Sequence, residues 1–239
     1  MRPDPLVLLP GMMCDARLFG PQIEALSREA PVMVMPMTGG DSIARLARNV
    51  LEAAPPRFAL AGLSMGGIVA MEVLAQSRDR VTRLCLMDTN AQAELASVAA
   101  AREPQIVKAR TGKLAEVMRD EMKPRYLAPG PRRQAVLDTV MQMALDLGPE
   151  VFVAQSRALQ RRPDQQATLR RARIPTLVIC GEHDQLCPLR RHEFIAQLMP
   201  LAHLEVIPDA GHLPTLERPR LVTALLRRWL WAPAGAVLA

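Results

Sequence analysis

Short apolar runs alternate along the chain with longer stretches of helical periodicity. Six runs have the length of a strand and little polar alternation, which is typical of strands covered on both faces of a sheet. These runs are 6–9, 32–35, 58–61, 81–87, 176–180 and 204–207. Helical stretches lie between them at about 17–28, 42–53, 65–76 and 190–198. The alternation predicts an α/β fold in which helices flank a mostly parallel sheet of about six strands.

One long segment departs from this alternation. Residues 90–172 contain no strand pattern and are interpreted as about four helices, with breaks that include Gly112 and Gly148-Pro149. We therefore predict that residues 1–89 and 173–239 form the core of the fold. Residues 90–172 would then be a helical cap, inserted between the fourth and fifth strands of the series.

Composition excludes several classes of protein. Of the 239 residues, 49 % are hydrophobic and 23 % are charged, which is typical of a globular domain that needs no disulfide or metal to fold. No apolar run approaches the ~20 residues of a membrane helix, and the N-terminus lacks the pattern of a signal peptide. The 4 cysteines lack C-x-x-C spacing, which argues against structural zinc. We therefore expect a cytoplasmic protein with no membrane association.

The positive charge is concentrated in the predicted cap. Between Thr89 and Arg173 there are 15 Lys or Arg and 9 Asp or Glu, so this segment carries the whole net charge of +6. Aromatic residues make up 3 % of the chain, too few for the base stacking that nucleic-acid binding uses, so we expect no nucleic-acid partner. A basic surface would attract an anionic partner. The alternative is a solvated, arginine-rich surface without a partner.

The segment Gly62-Leu63-Ser64-Met65-Gly66 carries the strongest chemical signal. It follows a predicted strand and opens a predicted helix, which is the context that a G-x-S-x-G nucleophile elbow requires. A strand that turns abruptly into a helix strains the residue at the corner, and glycine at 62 and 66 avoids collisions across the turn. Ser64 is therefore the predicted nucleophile. The alternative is a glycine-rich turn with a bystander serine.

A serine nucleophile needs a base near neutral pH, and the chain contains 4 histidines. His212 lies in the loop 208–214 after the last strand, and therefore at the same edge of the sheet as Ser64. His203 begins a strand pattern and His192 lies in a helical one, so we interpret both as structural. His212 is the predicted base, and an exposed loop histidine is the alternative.

The base needs a carboxylate that fixes its tautomer. Asp184 follows the fifth strand, at the same edge of the sheet, and is the predicted partner of His212. Two other carboxylates stay open as rivals. Glu182 lies in the same loop, and Asp88 ends the fourth strand, where we interpret it as a turn or helix cap.

The oxyanion of an acyl-transfer intermediate needs N–H donors, worth about 2.7 to 4 kcal/mol each. One predicted donor is the backbone N–H of Met65, the residue after the nucleophile. The second is expected in the loop after the first strand, at the N–H of Met12, with Met13 as the second choice. Gly11 is expected to make the tight turn of this loop.

Four motifs, taken in chain order, resemble those of the α/β-hydrolase superfamily, in particular its small cytoplasmic esterase-like members. They are L-L-P-G-M-M-C-D, G-L-S-M-G-G, L-V-I-C-G-E-H-D-Q-L-C-P and D-A-G-H-L-P-T-L-E-R-P. The resemblance covers the chain outside residues 90–172, where the family places a variable helical cap. It implies a catalytic triad of Ser64, Asp184 and His212 in the chain order of that family.

The sequence departs from the family pattern in two places. Pro10-Gly11 stands where many members have His-Gly, although a backbone donor survives that change. The two leading antiparallel strands of many members have no counterpart, so six parallel strands are expected. The basic cap resembles that of pimeloyl-acyl-carrier-protein methyl esterases, whose caps bind an acidic carrier.

The combined interpretation is a serine hydrolase that cleaves carboxylic esters through an acyl-enzyme, with no metal or organic cofactor. The expected substrate is a small-molecule ester, either anionic or carried by an acyl carrier protein. Lactonase, thioesterase, C–C hydrolase and perhydrolase activities stay open on the same fold. Two non-enzymatic alternatives are a ligand-binding receptor and a carrier-protein docking module. The oligomeric state is not predicted.

Overall fold

One parallel sheet organises the protein, whose computed structural model describes residues 3–122 and 126–233. Its strands are β1 Leu6–Leu9, β2 Val32–Val34, β3 Phe58–Leu63, β4 Val81–Met87, β5 Thr176–Gly181 and β6 Ala202–Ile207. They lie in the order β2-β1-β3-β4-β5-β6, and every neighbouring pair is parallel. The predicted α/β fold with six parallel strands is therefore confirmed. Lys123 and Arg125 of the predicted basic cap lie outside the described residues.

Helices cover both faces of the sheet. They are α1 Gly20–Leu26, α2 Ile43–Ala53, α3 Met65–Gln76, α4 Ala96–Lys108, α5 Leu114–Glu116, α6 Arg133–Gln160, α7 Gln166–Arg171, α8 Leu189–Leu198, α9 Pro214–Glu217 and α10 Pro219–Trp231. Alternate residues of β1 enter two separate apolar clusters, because successive side chains of a strand point to opposite faces. One cluster contains residues of α1 and α10, and the other contains residues of α2, α3 and α8.

Strand order reverses at β1, which has β2 on one side and β3 on the other. In parallel α/β sheets, ligands bind in the crevice at the carboxyl ends of the strands that flank such a reversal. The loop after β1 and the residue after β3 meet at this crevice. A Cβ built on Gly11 would lie 3.4 Å from the Cβ of Ser64. The topology therefore brings the two predicted halves of the oxyanion site together.

The described residues between β4 and β5 form helices and turns, with α4 packed on α6. Gly112 (φ 82°) and Gly148 (φ 80°) interrupt helical geometry at two of the predicted breaks. Both have left-handed backbone, which glycine adopts without a Cβ clash. The division into a core and a cap at residues 90–172 stays a prediction. Over the described ranges, no helix is both long and apolar enough to cross a membrane.

Candidate active site

Ser64 occupies the corner between β3 and α3. Its backbone has φ 55° and ψ −116°, a conformation that strains a residue with a Cβ and is found at functional corners. Two hydrogen bonds fix this corner, one to β4 and one to the residues that follow β4. The Ser64 N–H donates to the Met87 carbonyl at 2.8 Å, and Thr89 Oγ1 donates to the Ser64 carbonyl at 2.7 Å. The strained residue is therefore fixed from the neighbouring strand.

The two glycines that flank Ser64 relieve different collisions. A Cβ on Gly62 would run into the carbonyl of Gly66, which is the collision across the turn that the sequence predicts. A Cβ on Gly66 would instead run into the carbonyl of Leu9 on β1. Glycine at 66 therefore has a reason that the sequence does not show. That glycine is required because the first turn of α3 packs directly against a neighbouring strand.

A chain of hydrogen bonds joins Ser64, His212 and Asp184. His212 Nε2 lies 2.9 Å from Ser64 Oγ, and His212 Nδ1 lies 2.9 Å from Asp184 Oδ2. The other oxygen, Asp184 Oδ1, accepts the N–H groups of Leu186 at 2.8 Å and Cys187 at 3.0 Å. Burial by itself would raise the pKa of Asp184, but His212 and these backbone donors lower it to about 2. Asp184 is therefore a buried carboxylate that stays charged beside His212.

The two rival carboxylates do not contact His212. Glu182 Oε2 accepts the N–H of Asp209 at 3.1 Å, in the turn after β6. Asp88 is fully buried behind Asp184, where its Oδ1 accepts the Gly181 N–H at 2.8 Å. Burial, followed by the charge of Asp184, raises the pKa of Asp88 well above its usual range. The protonated form of Asp88 is therefore favoured, and its carboxyl links the ends of β4 and β5.

The loop after β1 offers one of its two candidate N–H donors. The Met13 N–H donates to Gln155 Oε1 at 2.8 Å, so it is already occupied by a side chain of α6. No hydrogen bond is found from the N–H of Met12 or Met65 to any described residue. Gly11 begins the tight turn expected there, since its carbonyl accepts the Cys14 N–H at 3.2 Å, and Met13 within this turn has a left-handed backbone with φ 55°. Gly11 also gives the loop room to approach Ser64.

Glu217 holds the loop that carries His212, a role that the sequence interpretation did not assign. Its Oε1 accepts the N–H groups of Gly211 and Leu213, each at 3.0 Å, and its Oε2 accepts the Ala128 N–H at 2.8 Å. The His212 N–H in turn donates to the Tyr126 carbonyl at 2.6 Å. A glutamate five residues after a loop histidine was the available signal. Two of its three donors are close in the chain, and the third, Ala128, is 89 positions away, which the sequence does not show.

The Glu217→Gln variant is expected to be less stable than the wild type by about 1 to 3 kcal/mol. One of the two accepting oxygens of Glu217 is replaced by an amide NH2 group, which donates and would face backbone N–H groups. Hydrolytic activity should fall with it, since the His212 loop loses its anchor. Thermal denaturation and kcat would be measured together. The matched control is Glu193→Gln, at an exposed position of α8, which should change stability by less than about 0.5 kcal/mol. Equal stability of the two variants would contradict the anchoring role.

Three groups of side chains in the described residues have ligand atoms close enough for a metal ion: Asp88, Cys180 and His192; Asp184, Cys187 and His212; Glu182, His183 and Asp209. The first two groups are committed to internal contacts. His192 Nε2 accepts the Thr89 N–H at 3.0 Å, and burial lowers the pKa of His192 to about 4, so this histidine is neutral. The third group is exposed. The expectation of a cofactor-independent reaction stays a prediction.

Ser64 opens into a cavity of about 720 Å³. Met12, Met65 and His212 line its base, and residues of α4 and the segments around it line its wall. This volume is in the range of cavities that enclose a small organic ligand. Ser64, His212 and the two residues with free N–H groups, Met12 and Met65, therefore line the same cavity.

The model of the alpha/beta hydrolase family matches residues 6–225. The chain belongs to this family. The hydrolase is 30 % identical to a thermophilic esterase from Thermogutta terrifontis whose structure was solved with malate bound (TM-score 0.87, covering 95 % of this chain and 89 % of that one). It is 25 % identical to the enol-lactonase from Burkholderia xenovorans LB400 (TM-score 0.86, covering 97 % and 93 %).

Among curated proteins, this alpha/beta hydrolase is 25 % identical over 230 residues to the pimeloyl-[acyl-carrier protein] methyl ester esterase of Nitrosomonas europaea, with 90 % of each chain covered. It spans only 44 % of the length of another relative, the biotin biosynthesis bifunctional protein BioHC of Teredinibacter turnerae. These likenesses identify the chain as an enzyme and a hydrolase. The enzymatic interpretation is therefore the one that the relatives support.

Proposed function

We propose that this hydrolase cleaves carboxylic esters through an acyl-enzyme formed on Ser64. The observation that carries the proposal is the continuous hydrogen-bonded chain from Ser64 Oγ through His212 to the charged carboxylate of Asp184. A serine is a weak nucleophile at its ordinary pKa, and an adjacent base oriented by a third group activates it. The esterase and lactonase relatives act on the same kind of bond, which supports this reaction class.

The acylation step follows from the geometry. His212 Nε2 takes the proton of Ser64 Oγ as the oxygen bonds to the carbonyl carbon of the ester. The negative charge that develops on the carbonyl oxygen is stabilised by the free N–H groups of Met65 and Met12. When the tetrahedral intermediate collapses, the alcohol leaves with the proton from His212. Asp184 stays ionised throughout and holds His212 Nδ1–H, so that Nε2 is the atom facing Ser64.

Deacylation repeats these steps with water. His212 Nε2 takes a proton from a water molecule, whose oxygen bonds to the acyl carbon. Collapse of the second tetrahedral intermediate returns the proton to Ser64 Oγ and releases the carboxylic acid. No step requires a redox change or a second substrate other than water.

Residues 90–172 act in this proposal as a cap that closes the acyl site on the side away from the sheet. The buried Gln155 of α6 joins this segment to the catalytic loop by accepting the Met13 N–H and donating to the Met37 carbonyl at 2.8 Å. The cap would therefore shape substrate choice and exclude water. A small-molecule ester fits the cavity. Delivery by an acyl carrier protein is the second candidate, supported by the Nitrosomonas europaea relative.

The proposal is tested with a fluorophosphonate probe and with pre-steady-state kinetics. We expect the probe to add its mass to the peptide that contains Ser64, and a p-nitrophenyl ester to give a burst of p-nitrophenol equal to the enzyme concentration if deacylation is slower than acylation. Heat-denatured protein, in which the serine has lost His212, is the control and should not be labelled. Labelling at another residue, or none on folded protein, would refute the Ser64 mechanism.

A further inference from the structure

Two arginines and one glutamate lie together in the wall of the cavity over Ser64. Arg102 comes from α4, Arg162 follows α6, and Glu94 precedes α4. Arg102 Nη2 lies 2.9 Å from Glu94 Oε2, and Arg162 Nη2 lies 2.9 Å from Glu94 Oε1. The side chains of Glu94, Arg162 and Arg102 are 4 %, 9 % and 16 % exposed. Two guanidinium groups that share one carboxylate leave this arginine cluster with a net positive charge in a buried wall.

Each guanidinium retains donors that the protein leaves free. Arg162 also donates from Nε to the Gln92 carbonyl at 3.0 Å, but no described group accepts from its Nη1. Arg102 Nη1 has only the sulfur of Met12 at 3.8 Å, which is a weak acceptor. Buried cations with unused donors are costly unless an anion pairs with them. The planar fork of arginine matches the two oxygens of a carboxylate.

The other charges around the cavity do not cancel this excess. Arg191 adds a third guanidinium, which donates to the Leu186 carbonyl at 3.1 Å. Glu121 is already bound to Lys108 at 2.7 Å. Asp164 is exposed and accepts the Gln166 N–H at 3.0 Å, at the start of α7. The two remaining acids are therefore occupied at the rim, and the buried wall stays positive.

We propose that Arg102 and Arg162 bind a carboxylate of the substrate, so that the enzyme acts on half-esters of dicarboxylic acids. The contact between Arg102 Nη1 and the side chain of Met12 places this site next to the residue that carries the proposed oxyanion donor. Glu94 holds both guanidinium groups in position. This substrate class rests on the ester hydrolysis proposed above. It adds a requirement for a carboxylate on the substrate, which the triad alone does not specify.

The first test compares monomethyl with dimethyl esters of succinate, glutarate, adipate and pimelate on the wild-type protein. The two members of each pair differ in one charge and one methyl group. At the chain length that spans the two sites, kcat/KM should favour the monomethyl ester by roughly 10- to 100-fold, mostly through a lower KM. Equal rates, or a preference for the dimethyl ester at every length, would overturn the proposal.

The second test assigns that preference to the cluster. In Arg102→Gln the ratio of the two kcat/KM values should fall towards one, because the cluster becomes neutral. The matched control is Arg161→Gln, an exposed arginine that pairs with Asp41, which should keep the wild-type ratio. An unchanged ratio in Arg102→Gln would contradict the proposal. Arg162→Gln provides the same measurement should Arg102→Gln not fold.

Calorimetry with the Ser64→Ala variant separates this proposal from the proposed reaction. For at least one of the four diacids, the monomethyl ester should bind this variant at least about 10-fold more tightly than the dimethyl ester, with no turnover needed. If that binding difference is found but no ester is hydrolysed by the wild type, the reaction is wrong and the carboxylate site stands. If neutral esters are hydrolysed at Ser64 with no preference for charge, the reaction stands and the carboxylate site is wrong.

Discussion

Replacing Ser64 with alanine is expected to lower kcat for ester hydrolysis by about 10⁶-fold, the order of loss seen when the nucleophile of a Ser-His-Asp triad is removed. The variant loses the atom that bonds to the acyl carbon, and His212 loses its proton donor. The strained backbone at this corner tolerates alanine no worse than serine, since both have a Cβ. The fold should therefore persist, and circular dichroism would check it.

The matched control for Ser64→Ala is Ser77→Ala, at the opposite end of the same helix α3. Ser77 ends the helix through its backbone N–H, which donates to the Val73 carbonyl at 2.9 Å, and alanine preserves that bond. Its kcat for a p-nitrophenyl ester should equal that of the wild type. Ser64→Ala protein that is folded and retains more than about a hundredth of wild-type kcat would contradict a covalent mechanism at this residue.

The Asp184→Asn variant is expected to lower kcat by about 10⁴-fold, although the two side chains have nearly the same shape. The new side-chain amide would donate to His212 Nδ1, so the imidazole proton would move to Nε2 and His212 could no longer accept the proton of Ser64. The kcat of the variant and that of the wild type would both be measured across pH. Because the pKa of Asp184 is about 2, we expect this carboxylate to impose no loss of wild-type activity above about pH 4.

Asp88→Asn is the control for Asp184→Asn, since it makes the same chemical change next to Asp184. Burial and the Asp184 charge favour the protonated form of Asp88, and the amide that replaces it is likewise uncharged. The oxygen of that amide can still accept the Gly181 N–H, as Asp88 Oδ1 does in the wild type. We expect kcat to stay within about 10-fold of wild type. A loss as large as that of Asp184→Asn would show that Asp88 takes part in the reaction.

Much of the fold can be read from short stretches of sequence. The apolar stripe of α10 recurs at helical spacing and is buried in the structure at Val222, Leu225, Leu226, Trp229 and Leu230. Helix α3 has the predicted bounds, Met65–Gln76, because the elbow fixes where it begins. Strand ends were less well predicted. The strand expected at 204–207 begins at Ala202, since pairing with β5 extends it through a less apolar start.

The sequence offered candidates for the residues around Ser64, but it left their partners open. Asp184, Glu182 and Asp88 all follow strands at the same edge of the sheet, so strand position does not separate them. Only the folded loops show that Asp184 alone reaches His212. In the same way, the sequence preferred Met12 to Met13 without excluding Met13, and the side chain of Gln155, 142 positions away from Met13, is what separates them.

The sequence by itself determined the strand–helix alternation, the corner at Ser64 and the candidate base His212, because hydrophobic period and glycine spacing act over a few neighbouring residues. Tertiary structure decided everything that depends on groups meeting across the chain. The contact between Ser64 and His212 spans 148 positions, and the anchoring of the His212 loop by Glu217 joins separate segments. The cluster of Arg102, Arg162 and Glu94 exists only because α4 and the end of α6 meet at one cavity wall.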